Sequence, residues 1–412
     1  MATHTLSDLR MGLDRSVEHE ARHEGHNAVS RYIPVERMTA EDDREALELL
    51  RDAFGGEGPG WFALPVAPAD HWQWKVHDFP GDAWWERIEH EGRVAGMIVA
   101  RWWPWLVRGA LVPRRDGVDL GFHPSLQGVG FQGARYRLLR ARRAELMATP
   151  FTLGVGSHPT AAHLATVHHD RPVANELRTM LRVLDPAQMV RRQAAAPPAG
   201  GARTMVNLRA RRSRLPRPAF LRRARWELLH RRASLLQRPR GLPRPRPTWS
   251  IRTIGAFDAR TDAFCEQASE AFDLIQYRDR RYLNWRYLDP RGGPFVVSVA
   301  EEGGELLGYA ATAMAGHQAK LADVLTLPGR DDVARTLVSD AVRQAREAGK
   351  SSIRAWLPEH HPVTPALREH AFFPVRAPGI LTYNDETPDG ALAFLDEPRA
   401  SVHFMLGDTD AI

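Results

Sequence analysis

The chain of 412 residues has one cysteine, Cys265, and three lysines, Lys75, Lys320 and Lys350. A lone cysteine excludes an intrachain disulfide and a cysteine-based zinc cluster. Its spacing with Phe264, Ala268 and Ala271 marks Cys265 as a small core residue rather than a nucleophile. Long apolar runs are missing too, so no helix is expected to span a membrane. The start, Met1-Ala2-Thr3-His4-Thr5-Leu6-Ser7-Asp8, lacks the basic residues and apolar stretch of a secretory signal, and the cytoplasm is the expected compartment. Scarce lysine beside abundant Arg, Ala, Gly and Pro reads partly as compositional bias, so arginine number alone defines no site. What is present, with 43% hydrophobic residues, is enough for two or three cores.

Charge is unevenly placed. Between Ala187 and Ser250 stand seventeen arginines and eight prolines with a single acid, Glu227, while the whole chain carries only +6, so the remainder is net acidic. The run Ala194-Ala195-Ala196-Pro197-Pro198-Ala199-Gly200-Gly201 reads as a linker. Within the segment from Ala187 to Ser250, Pro218 to Arg232 has the pattern of a short basic helix with Pro218 near its first turn. Three roles fit. The helix can brace the flanking modules through Phe220, Trp226, Leu228 and Leu229, or residues 218–246 can contact an anionic membrane surface. Nucleic acid is the weakest of the three, because no recognition module accompanies the charge.

The densest pattern runs from Gly117 to Arg143. Alternating Val118, Leu120 and Phe122 predict a strand that ends at Pro124, which cannot donate to the next ladder bond. Glycines at 128, 130 and 133 follow, and from Phe131 to Met147 the apolar residues fit a helical stripe. Such a glycine loop at a helix start can cradle a phosphate or pyrophosphate with its backbone N–H groups.

A module occurs twice. Trp72-Gln73-Trp74-Lys75-Val76, followed by the hairpin pattern Trp84 to Val99, is echoed by Leu283-Asn284-Trp285-Arg286-Tyr287 and the pattern Phe295 to Ala310. After each hairpin come a strand, a helix, a strand and a second helical stretch; in the second copy these are Leu321 to Thr326, Val333 to Glu347, Ser352 to Trp356 and Pro365 to His370. The second copy replaces the glycine loop by Leu327-Pro328-Gly329-Arg330-Asp331-Asp332. Two carboxylates there suit the helix dipole but repel a pyrophosphate.

The loop resembles the acyl-CoA-binding signature of the GNAT acetyltransferases, in which a central strand runs into an Arg/Gln-x-x-Gly-x-Gly/Ala loop at a helix start. Gln127-x-x-Gly130 matches its first half and Phe122-His123-Pro124 the strand end; Gln132 stands where a small residue is usual, with Gly133 one position late. The resemblance covers most of residues 31–186 and 249–386. It implies an α/β fold of the α+β mixed-sheet kind: two tandem GNAT-like acyltransferase modules joined by the Arg/Pro-rich linker, 187–248, with its basic helix. Residues 1–30 read as a polar, disordered leader and 387–412 as a C-terminal extension. The cosubstrate implied is acetyl-CoA or another acyl-CoA, held in the first module by Leu120, Phe122, Gln127, Gly128, Val129, Gly130, Phe131, Gln132 and Gly133; the second, degenerate module shapes an acceptor pocket or supports the fold.

The activity so implied is N-acyl transfer: an amine attacks the thioester, a base removes its proton and strand amides polarise the carbonyl. Asp119, on the strand leading into the loop, is the candidate base or amine-binding carboxylate, although its alternation with the apolar face also fits an outward-facing strand residue. Glu86 and Glu89 are reserves. No tyrosine lies between Phe151 and Pro186, so His163 or His168 would take the proton-donor role. Trp102-Trp103-Pro104-Trp105 can line an acceptor groove or fill a core. His158, His163 and His168 are five apart, a spacing unsuited to a zinc pair on one helical face, and no metal is expected. His19, His23 and His26 fall in the leader, and His360 and His361 in a loop.

Tyr282-Leu283-Asn284-Trp285-Arg286-Tyr287 further resembles two-module GNAT-domain proteins found with bacterial cell-surface polysaccharide genes, which points to an amino-sugar acceptor. Two other functions remain open: a catalytically silent GNAT-fold scaffold that binds a membrane surface or partner through the Arg-rich segment, and an aminoacyl-tRNA-dependent transferase of the same fold.

Overall fold

The computed structural model describes residues 19–23, 27–126, 131–142, 151–156, 170–195, 224, 227–228, 231, 248–375, 379–385, 387 and 389–409. They divide into two units, one taking the chain to Ala174 together with Gly379–Pro398, the other taking Asn175–Pro378 and the chain from Arg399.

The first unit is built on strands β1 (His19–His23), β2 (Ala28–Pro34), β3 (Asp82–His90), β4 (Arg93–Val107), β5 (Ala110–Phe122), β6 (Phe151–Gly156) and β7 (Arg171–Pro172), with helices α1 (Ala40–Ala53), α2 (Pro68–Trp72) and α3 (Phe131–Ala141). Helix α1 starts where Thr39 and Asp42 form a reciprocal capping box: Asp42 N–H donates to Thr39 Oγ1 (3.2 Å) and Thr39 N–H to Asp42 Oδ2 (2.8 Å). Leu138 and Leu139 of α3 pack on Tyr32, Trp84 and Trp102 of the sheet.

The second unit contains β8 (Leu177–Val183), α4 (Pro186–Ala195), β9 (Ser250–Ile254), α5 (Arg260–Ser269), β10 (Leu274–Gln276), α6 (Arg280–Leu283), β11 (Phe295–Glu302), β12 (Glu305–Ala313), β13 (Gln318–Thr326), α7 (Asp331–Glu347), β14 (Ser352–Pro358), α8 (Thr364–Glu369) and β15 (Phe373–Val375). Two further strands follow in the chain, β16 (Ile380–Asp385) in the first unit and β17 (Val402–His403) in the second. Val333, Ala334, Leu337, Val338, Ala341, Val342 and Ala345 recur at three- and four-residue steps along α7, and this stripe is buried on β13 and β14.

The sheets share one plan. Strand order is β1-β2-β3-β4-β5-β6-β16-β7 in the first unit and β15-β8-β14-β13-β12-β11-β9 in the second. Off the first path β10 and β17 pair in parallel; along these two paths each sheet is antiparallel except at one central parallel pair, β5 with β6 and β13 with β14. In each unit an antiparallel strand from the other half of the chain sits next to that pair. β16 pairs with β6, setting Tyr383 opposite Leu153, and β8 pairs with β14, setting Arg182 opposite Ile353. The exchange is reciprocal.

It changes the expected boundaries. The first module was expected to run to residue 186, yet Leu177–Val183 is an inner strand of the second sheet; the second was expected to run to 386, yet Ile380–Asp385 belongs to the first. Residues 387–412 do not form one extension, since the chain to Pro398 packs in the first unit and from Arg399 in the second. Within the expected disordered leader, His19–His23 pairs with Ala28–Tyr32, because alternation buries Ala21 and His23 on one face. The basic helix lies almost entirely outside the described residues, and Leu228, expected to pack on a module, is 59% exposed. Cys265 is buried in α5, as its spacing implied.

Candidate active site

Strand β5 carries an extra residue in its ladder with β4. Val118 faces Val99 and Gly121 faces Met97, so Asp119 and Leu120 together oppose the single Ile98. Asp119 takes φ 53°, a left-handed conformation that aspartate tolerates better than most residues. This bulge breaks the alternation on which an outward-facing Asp119 was expected, and its carboxylate is buried instead. Trp61 Nε1 donates to Oδ1 (2.8 Å), and Lys75 Nζ lies 2.8 Å from Oδ2. The lysine arrives on a single π-turn, Gln73–His77, appended to α2. Its ammonium also stands 5.3 Å above the Trp61 ring.

β5 and β6 part before the bulge is reached. β5 and β6 pair in parallel at Arg114 opposite Phe151. A crevice at the carboxyl ends of adjacent parallel strands is where open mixed sheets place ligands. Arg114 donates to the Leu153 carbonyl and to Asp116 (3.2 Å), which Arg101 also reaches (3.1 Å). Burial resists ionisation of Asp116, but Arg114 and Arg101 hold its carboxyl below the usual range.

Of the expected site residues, Leu120 lies in the bulge, and Phe122 and Phe131 pack edge to face at 5.7 Å beneath the start of α3. Gly133 is in the first turns of α3, as is the backbone of Gln132. Gln127, Gly128, Val129 and Gly130 lie outside the described residues, as do His158, His163, His168 and His169. Glu86 is unsuited to be a base: it is 1% exposed, gripped by the Arg135 guanidinium (Nε to Oε1, 2.9 Å) and bonded by Ser30 (2.9 Å). Burial raises its carboxyl, yet Arg135 and Arg115 keep it below the ordinary value. Glu89 pairs with Arg87 near the surface. Trp102, Trp103 and Trp105 are all buried in β4, Trp102 in a core cluster with Tyr32 and Trp84. Among the described residues, no group of three or more His, Cys, Asp or Glu is placed to hold a metal, and no helix is long and apolar enough to cross a membrane.

The second unit repeats the device with different chemistry. Ala311 faces Asp323 and Thr312 faces Leu321, so Ala322 is the extra residue of a bulge on β13. Asp323 precedes Pro328 by the same interval that separates Asp119 from Pro124. A second π-turn, Asn284–Leu288, carries Arg286 where the first carries Lys75. Here the aspartate is filled from every side: Arg278 Nε (3.0 Å), Tyr309 Oη (2.6 Å) and Tyr287 Oη (3.1 Å) donate to Oδ2, and His403 Nε2 to Oδ1 (2.9 Å). Burial opposes its charge, but Arg278 and His403 hold the carboxyl far below its usual value.

His403 belongs to the C-terminal segment, which lies against β13 and β14 past their last parallel pair, Leu321 with Ala355. Val363 N–H donates to His361 Nδ1, His361 Nε2 lies 3.0 Å from His403 Nδ1, and His403 Nε2 lies 2.9 Å from Asp323 Oδ1, so the two rings link the loop after β14 to the buried aspartate. Burial and the neighbouring His403 push His361 well down, which keeps it neutral; it stands in the loop after β14, as expected, with its ring buried. Arg278 also pairs with Asp408 (2.7 Å), Arg286 donates to the Gly407 and Thr409 carbonyls (both 3.0 Å), and Met405 joins the core. At the start of α7, Asp332 accepts from Trp249 (3.1 Å) and Arg330 (3.0 Å). The chain's own tail occupies the place in the second unit where the first unit opens.

Lys75, Trp61, Arg278 and His403 were not foreseen as site residues. Only Lys75 carried a signal, through the repeated Trp74-Lys75 and Trp285-Arg286 pairs.

No protein-family model matches the chain, and no curated protein matches it in sequence. Solved structures do. A conserved protein of unknown function from Enterococcus faecalis V583, described as a probable N-acyltransferase, superposes with a TM-score of 0.53 at 11% identity, covering 86% of this chain and 72% of that one. The N-myristoyltransferase of Saccharomyces cerevisiae with bound myristoyl-CoA gives 0.51 at 13% identity over 88% and 83%. A GCN5-related N-acetyltransferase from Anabaena variabilis ATCC 29413 gives 0.51 at 11% identity over 87% and 73%. With the repeated topology, this likeness establishes that the chain has the GNAT N-acetyltransferase fold in tandem, once in each unit.

Proposed function

We propose that the chain is an N-acyltransferase that takes an acetyl or related acyl group from acyl-CoA in its first unit and passes it to an amine. The observation that carries this reading is the asymmetry of the two openings. In the first unit the bulge at Asp119 leads through Phe122 towards the Gln127–Gly133 loop; in the second the equivalent place holds the C-terminal segment and Asp331 and Asp332 begin the helix. The fold's likeness to N-acyltransferases supports the same reading. In it the glycine loop and the start of α3 hold the pyrophosphate of CoA, and the amides freed from the ladder at the bulge polarise the thioester carbonyl.

Asp119, tied to Lys75 and Trp61, acts first as a positioning residue that keeps the bulge in shape. His163 and His168 are the candidate acids for the leaving thiolate. The acceptor class is an amino sugar, by the resemblance of Tyr282–Tyr287 to polysaccharide-associated proteins of this fold. Titration calorimetry of the protein with acetyl-CoA, beside Gly130→Asp, tests the proposal. Saturable binding that the variant loses supports it; a wild type that binds no acyl-CoA overturns it.

A further inference from the structure

Arg182, on inner strand β8 of the second unit, is 1% exposed, and its surroundings contain too little negative charge. Its Nη1 donates to the His370 carbonyl just past α8, while its Nε is buried without a hydrogen-bond partner. The residue lines a cavity of about 330 Å³ whose other wall is the second half of α7, with Ser339, Arg343, Arg346 and Glu347, and whose rim includes His370. Glu347, the acid of that wall, is engaged by Arg343 (2.7 Å), which also bonds Asp340 (3.2 Å). Arg346 has no ion pair or hydrogen bond to a described side chain. Burial and then the neighbouring Arg346 push the Arg182 guanidinium down to about 9, and no carboxylate offsets them. Burial likewise lowers the His370 imidazole, with Arg182 and Arg335 adding to it against the Ala366 carbonyl and Glu369.

A buried guanidinium is ordinarily paired, because the desolvation it suffers is recovered only through charge-assisted hydrogen bonds. One carbonyl at a helix C-terminus satisfies one group of the fork and leaves the rest. Two guanidinia facing one cavity, with the wall's acid already engaged, make the electrostatics of an anion site, and the planar fork suits bidentate capture of an oxyanion. The place is at the far half of α7 from its start at Asp331 and belongs to the second unit, whereas the acyl-CoA site proposed above belongs to the first.

We propose that this cavity binds a small ligand through its oxyanion group, phosphate or carboxylate, with Arg182 and Arg346 as donors. The Ser339 hydroxyl stands on the same wall as a further donor.

The test titrates the full chain in chloride buffer with inorganic phosphate and, separately, with acetate, at matched ionic strength, beside Arg346→Ala and Arg182→Met. Saturable binding of one of the two anions is expected, and the tighter of them identifies the ligand chemistry. Each variant is expected to bind at least about tenfold more weakly, the loss that follows from removing one charge-assisted hydrogen bond. Arg182→Met is expected to melt no lower than wild type in the same chloride buffer without phosphate or acetate, since an apolar side chain carries no unpaired charge into the interior. If wild type binds neither anion, or Arg346→Ala binds them as tightly as wild type does, the proposal is overturned and Arg182 is a cap on the α8 carbonyls.

Discussion

Lys75 Nζ lies 2.8 Å from Asp119 Oδ2, with 2% and 3% of the two side chains exposed. One sits on a π-turn and the other on a strand bulge, both departures from regular geometry that recur in the second unit. Irregularities of this kind gather at functional sites, where they aim a side chain that a regular element would point elsewhere.

Removing one partner leaves the other charge buried. Lys75→Met is expected to cost about 3–5 kcal/mol of stability. Lys75→Met combined with Asp119→Asn should recover a large part of that loss. Urea unfolding of the two single variants and the double variant measures the coupling; simply additive losses would show that the pair does not act as one.

Glu86 contributes pH-dependent stability to the first unit. Its carboxyl is held below the ordinary 4.5 in the fold, by Arg135 and Arg115 against the effect of burial. The unfolded chain therefore takes up the proton first as pH falls. The contribution is fully present above 4.5 and disappears as pH drops through the depressed folded value. Thermal melts from pH 7 downward should show a steeper acid limb for wild type than for Glu86→Gln, whose side chain does not titrate.

Gly407 is packed where a side chain does not fit. A Cβ there would collide with the Tyr287 hydroxyl and come within 3.1 Å of the Ala322 carbonyl, and the tyrosine is itself bonded to Asp323. Gly407→Ala should destabilise the second unit by about 1–3 kcal/mol, as overpacking does. Hydrogen exchange should then rise first at residues 402–409; uniform loss of protection would count against a local effect.

Reciprocal strand exchange has a consequence for the intact fold. A protease site placed at Gly200-Gly201 cuts the chain between β8 and β9. The two fragments should still co-elute on gel filtration after cleavage, because each supplies an inner strand to the other's sheet. Denaturant should be needed to part them. Fragments expressed alone, each lacking that strand, should not fold.

Much of this architecture was legible along the chain. The hairpin turns at Glu91-Gly92 and Gly303-Gly304, the alternation of Val118 to Phe122 and the α7 stripe are local patterns, read from neighbours a few residues apart. The doubling of the module followed from comparing two such stretches, and the inequality of the helix starts from counting glycines against carboxylates. The burial of Asp119 was not legible, because one inserted residue reverses the facing of a strand and leaves no mark in an alternating pattern.

Sequence by itself therefore determined most of the element types, the repeat and which of the two copies carries a glycine-rich stretch before its helix, since each of these rests on short-range periodicity and composition. Tertiary structure alone decided which sheet receives Leu177–Val183 and which receives Ile380–Asp385, since a buried strand reads the same in either. It also decided that His403 and Asp408 close on Asp323 and Arg278, more than 75 residues away in each case. Such pairings follow from packing and burial of charge, which set a cost on every unpaired group only once the chain has folded around it.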